Sequence, residues 1–299
     1  MKKNLIAIII WIMLAICLAG CRNTEAVAQI AATTLPVFDF TSAICEGTDL
    51  HVTRLITEEV SCLHDYSLNV RQVKAAESAD VIVMSGAGLE EFLDDMLHKS
   101  DVIDSAKGID LICPESEAEA EHDHKENTHE GHHHEQDPHI WLSPKNALVM
   151  ANNICDGLVE RYPEYSEIFF QNLHQLTNAL KALDAYGTTA LSNLSSREII
   201  TFHDGFSYLA KCYDLTILEA VEEESGSEAS AKELIHMIHM IEEHDVKAIF
   251  TEISGSTSAA SIISKETGVV CAELDMAMAG NSYFEAMYHN IDTLKEALQ

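Results

Sequence analysis

The sequence has little positive charge and lacks a common motif of thiol chemistry. Its 299 residues include 18 Lys and Arg against 49 Asp and Glu, a formal net charge of −31 at pH 7. A chain this acidic repels a phosphate backbone, which argues against nucleic acid as a partner. It also contains no CxxC motif. This absence leaves the pairing of its cysteines unassigned.

Long hydrophobic runs are also missing, apart from one short run at the N-terminus. Lys2 and Lys3 precede an uncharged apolar stretch at residues 5–18, which is shorter than the ~20 residues that span a bilayer. Small residues follow in Leu18-Ala19-Gly20-Cys21. This pattern predicts an export signal over residues 1–20, with a single anchoring helix as the alternative. The last four residues resemble the lipobox of bacterial lipoproteins, which implies cleavage before Cys21 and a lipid anchor on its thiol.

Apolar, β-branched segments alternate with helical stretches through the rest of the chain. Strands are predicted near residues 28–35, 50–56, 79–85, 197–202, 215–219, 246–251 and 269–274. The alternation occurs twice, on either side of a middle segment without strand signals. It therefore predicts two α/β lobes, each a mostly parallel sheet flanked by helices.

The middle segment carries a single amphipathic pattern. Phe169, Leu173, Leu176, Leu180 and Leu183 recur at spacings of four and three. We expect one long helix from Tyr162 to about Leu191. Its periodicity fits either a stiff strut joining the lobes or an ordinary helix packed on one of them. The predicted domains are residues 1–20, 21–161, 162–192 and 193–299.

Residues 115–137 form a polar segment with six histidines, nine acidic residues and no Val, Ile, Leu or aromatic residue. Such a segment cannot bury a core, so a loop is predicted. Imidazole is a common ligand of transition metals, which favours weak, exchangeable metal sites over a solvated spacer. The predicted low-affinity ligands are His122, His124, His129, His132, His133 and His134.

A different signal ends this loop, where Asp137-Pro138-His139-Ile140-Trp141 places a histidine in a rigid turn. This motif, with His64-Asp65-Tyr66, Gly86-Ala87-Gly88-Leu89-Glu90, Phe202-His203-Asp204-Gly205-Phe206 and Glu273-Leu274-Asp275, resembles the metal-binding lipoproteins that deliver zinc or manganese to ABC importers. The likeness covers nearly the whole chain after residue 20. Leu63 and Ser143 depart from the family's usual proline and aspartate.

The resemblance implies a metal site in the cleft between the lobes. Its ligands would be His64 and His139 from the first lobe, and His203 and Asp275 from the second. Three imidazoles and one carboxylate suit four-coordinate Zn²⁺, whereas a second carboxylate would favour manganese. Glu58, Glu59 and Glu252 are the alternatives to Asp275. Weaker candidates are a thiolate from Cys62 and a secondary site of His236, His239 and His244.

The expected function is capture of Zn²⁺ outside the cytoplasm and delivery to an ABC permease and its ATPase, by a monomer attached to the lipid bilayer. The loop would collect ions near the cleft, and affinity would fall below about pH 6.5 as imidazoles become protonated. A helical strut implies modest relative motion of the lobes. The alternatives are a manganese or iron binding protein of the same family, a zinc-dependent hydrolase, and a surface adhesin.

Overall fold

The computed structural model describes residues 30–58, 63, 66–93, 101–113, 136–221, 230–253 and 255–299. Several predicted functional residues lie outside these ranges: Cys21, Glu59, Cys62, His64 and the six loop histidines. In the described part of the chain, no helix is both long and apolar enough to cross a bilayer.

The described strands form two parallel sheets. They are β1 (Ile30–Ala32), β2 (Val52–Arg54), β3 (Val81–Met84), β4 (Asp101–Asp104), β5 (Glu198–Thr201), β6 (Thr216–Ala220), β7 (Ala248–Glu252) and β8 (Val270–Leu274). The strand order is β2-β1-β3-β4 in the first sheet and β6-β5-β7-β8 in the second, and every pair is parallel. The predicted architecture of two α/β lobes is confirmed.

Helices separate the strands. They are α1 (Leu35–Cys45), α2 (Val70–Ser78), α3 (Pro144–Arg161), α4 (Ser166–Ala190), α5 (Ser207–Cys212), α6 (Ala231–His244), α7 (Ser258–Thr267) and α8 (Tyr283–Leu298). Local sequence sets several of their ends. Asn69 and Ser230 form capping boxes just before α2 and α6. Gly268, whose φ of +78° favours glycine, caps the C-terminus of α7.

The long helix α4 contacts both lobes. It begins at Ser166, four residues later than predicted, because Pro163–Tyr165 form a short 3₁₀ turn. At 1.5 Å per residue, α4 is about 37 Å long. Asn172 near its start donates a hydrogen bond to the carbonyl of Ile44 in α1, and Tyr186 near its end bonds Asp292 in α8. This arrangement is the one expected of a strut.

The larger of the two hydrophobic cores formed by the described residues runs through both lobes. Its largest fully buried side chains include Trp141, Phe169 and Tyr283, and the rings of Phe40 and Tyr283 pack edge to face at 4.9 Å. Phe40 lies in α1 of the first lobe and Tyr283 begins α8 after the second sheet. Aromatic packing of this kind therefore joins the lobes independently of any ligand.

Candidate metal centre

His139 lies in a rigid turn that leads into α3. A 3₁₀ turn, Ile140–Leu142, follows it directly. The Ser143 hydroxyl then accepts a hydrogen bond from the Asn146 amide, and Pro144 occupies the first helical position. Serine is a favoured N-cap and proline a favoured first residue of a helix. Ser143, which departs from the family pattern, is thus a capping residue.

Asp137 orients the imidazole of His139. Its Oδ1 lies 2.8 Å from His139 Nδ1 and also accepts the His139 backbone amide at 2.9 Å. Both side chains are nearly inaccessible to solvent. A carboxylate on Nδ1 favours the tautomer protonated there, which leaves the lone pair on Nε2. Metal-binding histidines are typically held in this way by a second group.

His203 has the same kind of partner in the other lobe. It follows β5, and its Nδ1 lies 3.3 Å from Oε1 of Glu252, the last residue of β7. The chain leaves β5 toward β6 on one side and reaches β7 on the other. Ligands of α/β sheets bind at such a switch point, beyond the carboxyl ends of the strands. Burial raises the pKa of Glu252 to about 7. A cation bound beside it would favour the ionised carboxylate.

The two imidazoles meet although they are far apart in the sequence. The ring centroids of His139 and His203 are 5.3 Å apart, and the planes are inclined at 82°. If both rings bound one tetrahedral zinc ion through Nε2, Zn–N bonds of about 2.0–2.1 Å would place the centroids about 5 Å apart. The observed spacing fits this arrangement.

Asp275 lies in a constrained loop after β8. Asn290 of α8 accepts the Asp275 amide and donates to its carbonyl, both at 2.7 Å. One carboxylate oxygen accepts the amide of Ala277, and burial raises the pKa of the Asp275 carboxyl group. Asn290 is fully buried, so these bonds hold the loop firmly. The role of Asp275 as a ligand stays a prediction.

Trp141 ties the His139 segment to the Asp275 loop. Its Nε1 donates to the carbonyl of Met276 at 2.8 Å, and its own carbonyl accepts the Tyr283 hydroxyl at 2.8 Å. Trp141 and Tyr283 are fully buried. The turn carrying His139 is therefore fixed against the second lobe by the Tyr283 side chain of α8 and by a backbone carbonyl of the loop that precedes α8.

The other predicted candidates are placed elsewhere or are not described. Glu58 bonds Tyr66, Asn69 and Gln72 rather than the two imidazoles. On the surface, His236 and His244 lie 3.8 and 3.6 Å from the single carboxylates of Glu219 and Glu198. Within the described ranges, no three His, Cys, Asp or Glu side chains form a complete metal site. The full ligand set, which includes His64, stays a prediction.

The sequence profile of the periplasmic zinc-uptake complex component A, ZnuA, matches residues 30–297. The chain belongs to the ZnuA family. It is 30% identical over 290 residues to the zinc-binding protein AdcA of Streptococcus pyogenes serotype M3, and 30% identical over 312 residues to the zinc-binding lipoprotein AdcA of Streptococcus pneumoniae serotype 4. These alignments cover 91% and 99% of this chain but 56% and 61% of the relatives, which are longer.

Solved structures share the fold. The Zn(II)-bound ZnuA-like domain of Streptococcus pneumoniae AdcA superposes with a TM-score of 0.74 at 25% identity, covering 90% of this chain and 98% of that one. The ZnuA family therefore accounts for both sheets and the long helix between them. The description of the family, a periplasmic component of a zinc-uptake complex, agrees with the class predicted from the motifs.

Proposed function

We propose that this chain captures Zn²⁺ between its lobes and delivers the ion to an ABC permease and its ATPase. The observation that carries the proposal is the pair of carboxylate-backed imidazoles, His139 and His203, contributed by different lobes with ring centroids 5.3 Å apart. Two imidazole nitrogens at this spacing suit Zn²⁺, a borderline-soft d¹⁰ ion that binds histidine nitrogen. His64 and Asp275 would complete a four-coordinate site.

The fold favours a cleft that changes little on binding. Trp141 donates to Met276, Arg54 donates to the carbonyl of Gly280, and Tyr283 bonds Asp39 across the lobes. These contacts and the long helix oppose wide hinge opening. Release of the ion to the transporter would then need a local change at the ligand loops rather than separation of whole lobes.

The location and organisation follow from the sequence signals. We propose that residues 1–20 are removed and that Cys21 anchors the protein to the outer face of a membrane. The pneumococcal relative is named as a lipoprotein. The mature chain would comprise a first lobe at 21–161, a linking helix within 162–192 and a second lobe at 193–299, acting as a monomer.

The direct test is zinc titration against a competing chelator. His139→Ala and His203→Ala should each weaken binding at least 10-fold, because each removes a ligand from a site of four. His236→Ala is the matched control, since that imidazole is largely exposed on α6 and should leave affinity unchanged. Equal affinity of wild type, His139→Ala and His203→Ala would refute the site.

The His-rich segment is proposed to collect ions at low affinity close to the cleft. The deletion that tests this role must spare Asp137, because its carboxylate holds His139. Removal of residues 115–135 should leave the high-affinity zinc site intact and reduce uptake in zinc-limited medium. Unchanged uptake would show that the segment has no collecting role.

The alternatives make different predictions. A manganese-type protein would prefer Mn²⁺ in a competition titration, whereas nitrogen ligands favour zinc. A hydrolase would show zinc-dependent hydrolysis that His139→Ala abolishes, but Asp137 and Glu252, the carboxylates beside the two imidazoles, lie against ring nitrogens. We therefore propose no catalytic role. Growth under chelation would depend on an importer subunit but not on an adhesin.

A further inference from the structure

The two ends of the His-rich segment are joined at one point in the structure. The backbone amide of Asp137, the last residue of the segment, donates to the carbonyl of Ile112, three residues before its start, at 2.8 Å. A phenol from the other lobe completes this junction. Tyr208 Oη accepts the Ile112 amide at 2.9 Å and donates to the Asp137 carbonyl at 2.9 Å.

Tyr208 is built to act as a fixed bridge. It lies on the short helix α5 of the second lobe and is 3% exposed. Burial raises the pKa of its phenol to about 12, so the hydroxyl stays protonated and can donate and accept at once. Its single oxygen satisfies an amide on one side of the segment and a carbonyl on the other.

The bridge leads directly to a predicted zinc ligand. Tyr208 holds the Asp137 carbonyl, and the Asp137 carboxylate holds both the backbone amide and Nδ1 of His139. Five residues before Tyr208 in the chain lies His203. Residues 203–208 of the second lobe thus contribute the His203 imidazole. They also orient Asp137, which holds the imidazole of His139.

We propose that Tyr208 is a positioning residue for zinc binding, which fixes His139 through Asp137 and anchors the base of the His-rich segment to the second lobe. This inference rests on the proposed function, because it presumes that His139 is a ligand. Outer partners of metal-binding histidines typically change metal affinity by 10–100-fold when they are lost. Tyr208 would act one bond further from the ion, toward the lower end of that range.

The test begins with Tyr208→Phe, which removes one oxygen atom and keeps the ring. We expect zinc affinity, measured by chelator competition, to fall about 10-fold. Tyr213→Phe is the matched control. Tyr213 is also buried, at 5% exposed, and its hydroxyl has no hydrogen-bond partner among the described residues, so this variant should bind zinc as wild type does.

A second readout needs no metal. In the zinc-free protein, amide hydrogen exchange at Ile112 and His139 should accelerate in Tyr208→Phe and not in Tyr213→Phe. A general loss of stability would instead raise exchange throughout the second lobe and lower the melting temperature. Wild-type exchange at these two amides would overturn the proposal.

A double-mutant cycle with Asp137→Ala identifies the route of action. If Tyr208 acts through the Asp137 carboxylate, adding Tyr208→Phe to Asp137→Ala should cause little further loss of affinity. Independent, additive losses would overturn the proposal, as would wild-type affinity in Tyr208→Phe alone. His139→Ala separates this failure from that of the proposed function, since wild-type affinity in that variant would refute the zinc site itself.

Discussion

A buried carboxyl group in the first lobe should make the stability of this protein fall as pH rises through neutrality. Glu90 follows β3 and is 3% exposed. One of its oxygens accepts bonds from the Thr33 hydroxyl and the Ser85 amide, each at 2.7 Å, and the other accepts the Gly86 amide at 3.0 Å. These donors favour the ionised form, but burial outweighs them and raises the pKa of Glu90 to about 7.

The direction of the effect follows from proton binding. The folded state holds its proton up to about pH 7, whereas the unfolded chain releases it near the ordinary value of 4.5. The contribution of Glu90 is therefore fully present below pH 4.5 and is lost as pH rises to about 7. At about 1.36 kcal/mol per pKa unit, the whole difference is roughly 3 kcal/mol, of which roughly 2 kcal/mol falls between pH 5.5 and 8.

The assay is urea unfolding of the metal-free protein at several pH values, compared with Glu90→Gln. The amide oxygen of Gln can keep the bonds from Thr33 and Ser85, but its nitrogen cannot accept the Gly86 amide. The variant should therefore be less stable at pH 5.5 and lose roughly 2 kcal/mol less than wild type by pH 8. Other titrating groups are common to both proteins. Parallel stability curves for the two would refute this reasoning.

Two further substitutions probe the packing that positions the site. Trp141→Phe should lower the free energy of unfolding by about 1–3 kcal/mol, because the buried Met276 carbonyl loses its donor; urea unfolding with wild-type stability would contradict that bond. Gly187→Ala should destabilise by roughly 1–3 kcal/mol, since a Cβ there would lie 2.4 Å from Cζ and Oη of Tyr213. Unchanged or higher stability in a thermal melt would show that α4 and this ring separate readily.

The sequence predicts the strands well where they form an apolar run and poorly where aspartates interrupt it. Seven strands are predicted close to their observed positions, since their β-branched residues form apolar runs. The eighth, β4, was not predicted. It reads Asp-Val-Ile-Asp at the edge of its sheet, and only Ile103 is buried. The other edge strands, β2, β6 and β8, lie in longer apolar runs, whereas β4 has only two apolar residues between aspartates and gives little signal.

The candidate site shows a similar limit. The order of the motifs predicts His139 and His203 as ligands, and the structure places their rings in contact. Asp137 lies in the same motif, but the sequence predicts Glu252 only as an alternative to Asp275 and not as a partner of His203. The hydrogen bond from Trp141 to Met276 spans 135 positions of the sequence, and the one from Tyr208 to Asp137 spans 71. Periodicity indicates which face of an element is buried, but not which distant carbonyl a side chain will meet.

The most direct test of the zinc site is a crystal structure of the zinc-loaded protein with anomalous scattering recorded at the zinc absorption edge. The account predicts one strong peak between the lobes, about 2.0–2.1 Å from Nε2 of both His139 and His203. A peak bonded to only one of these imidazoles, or located away from both, would contradict it.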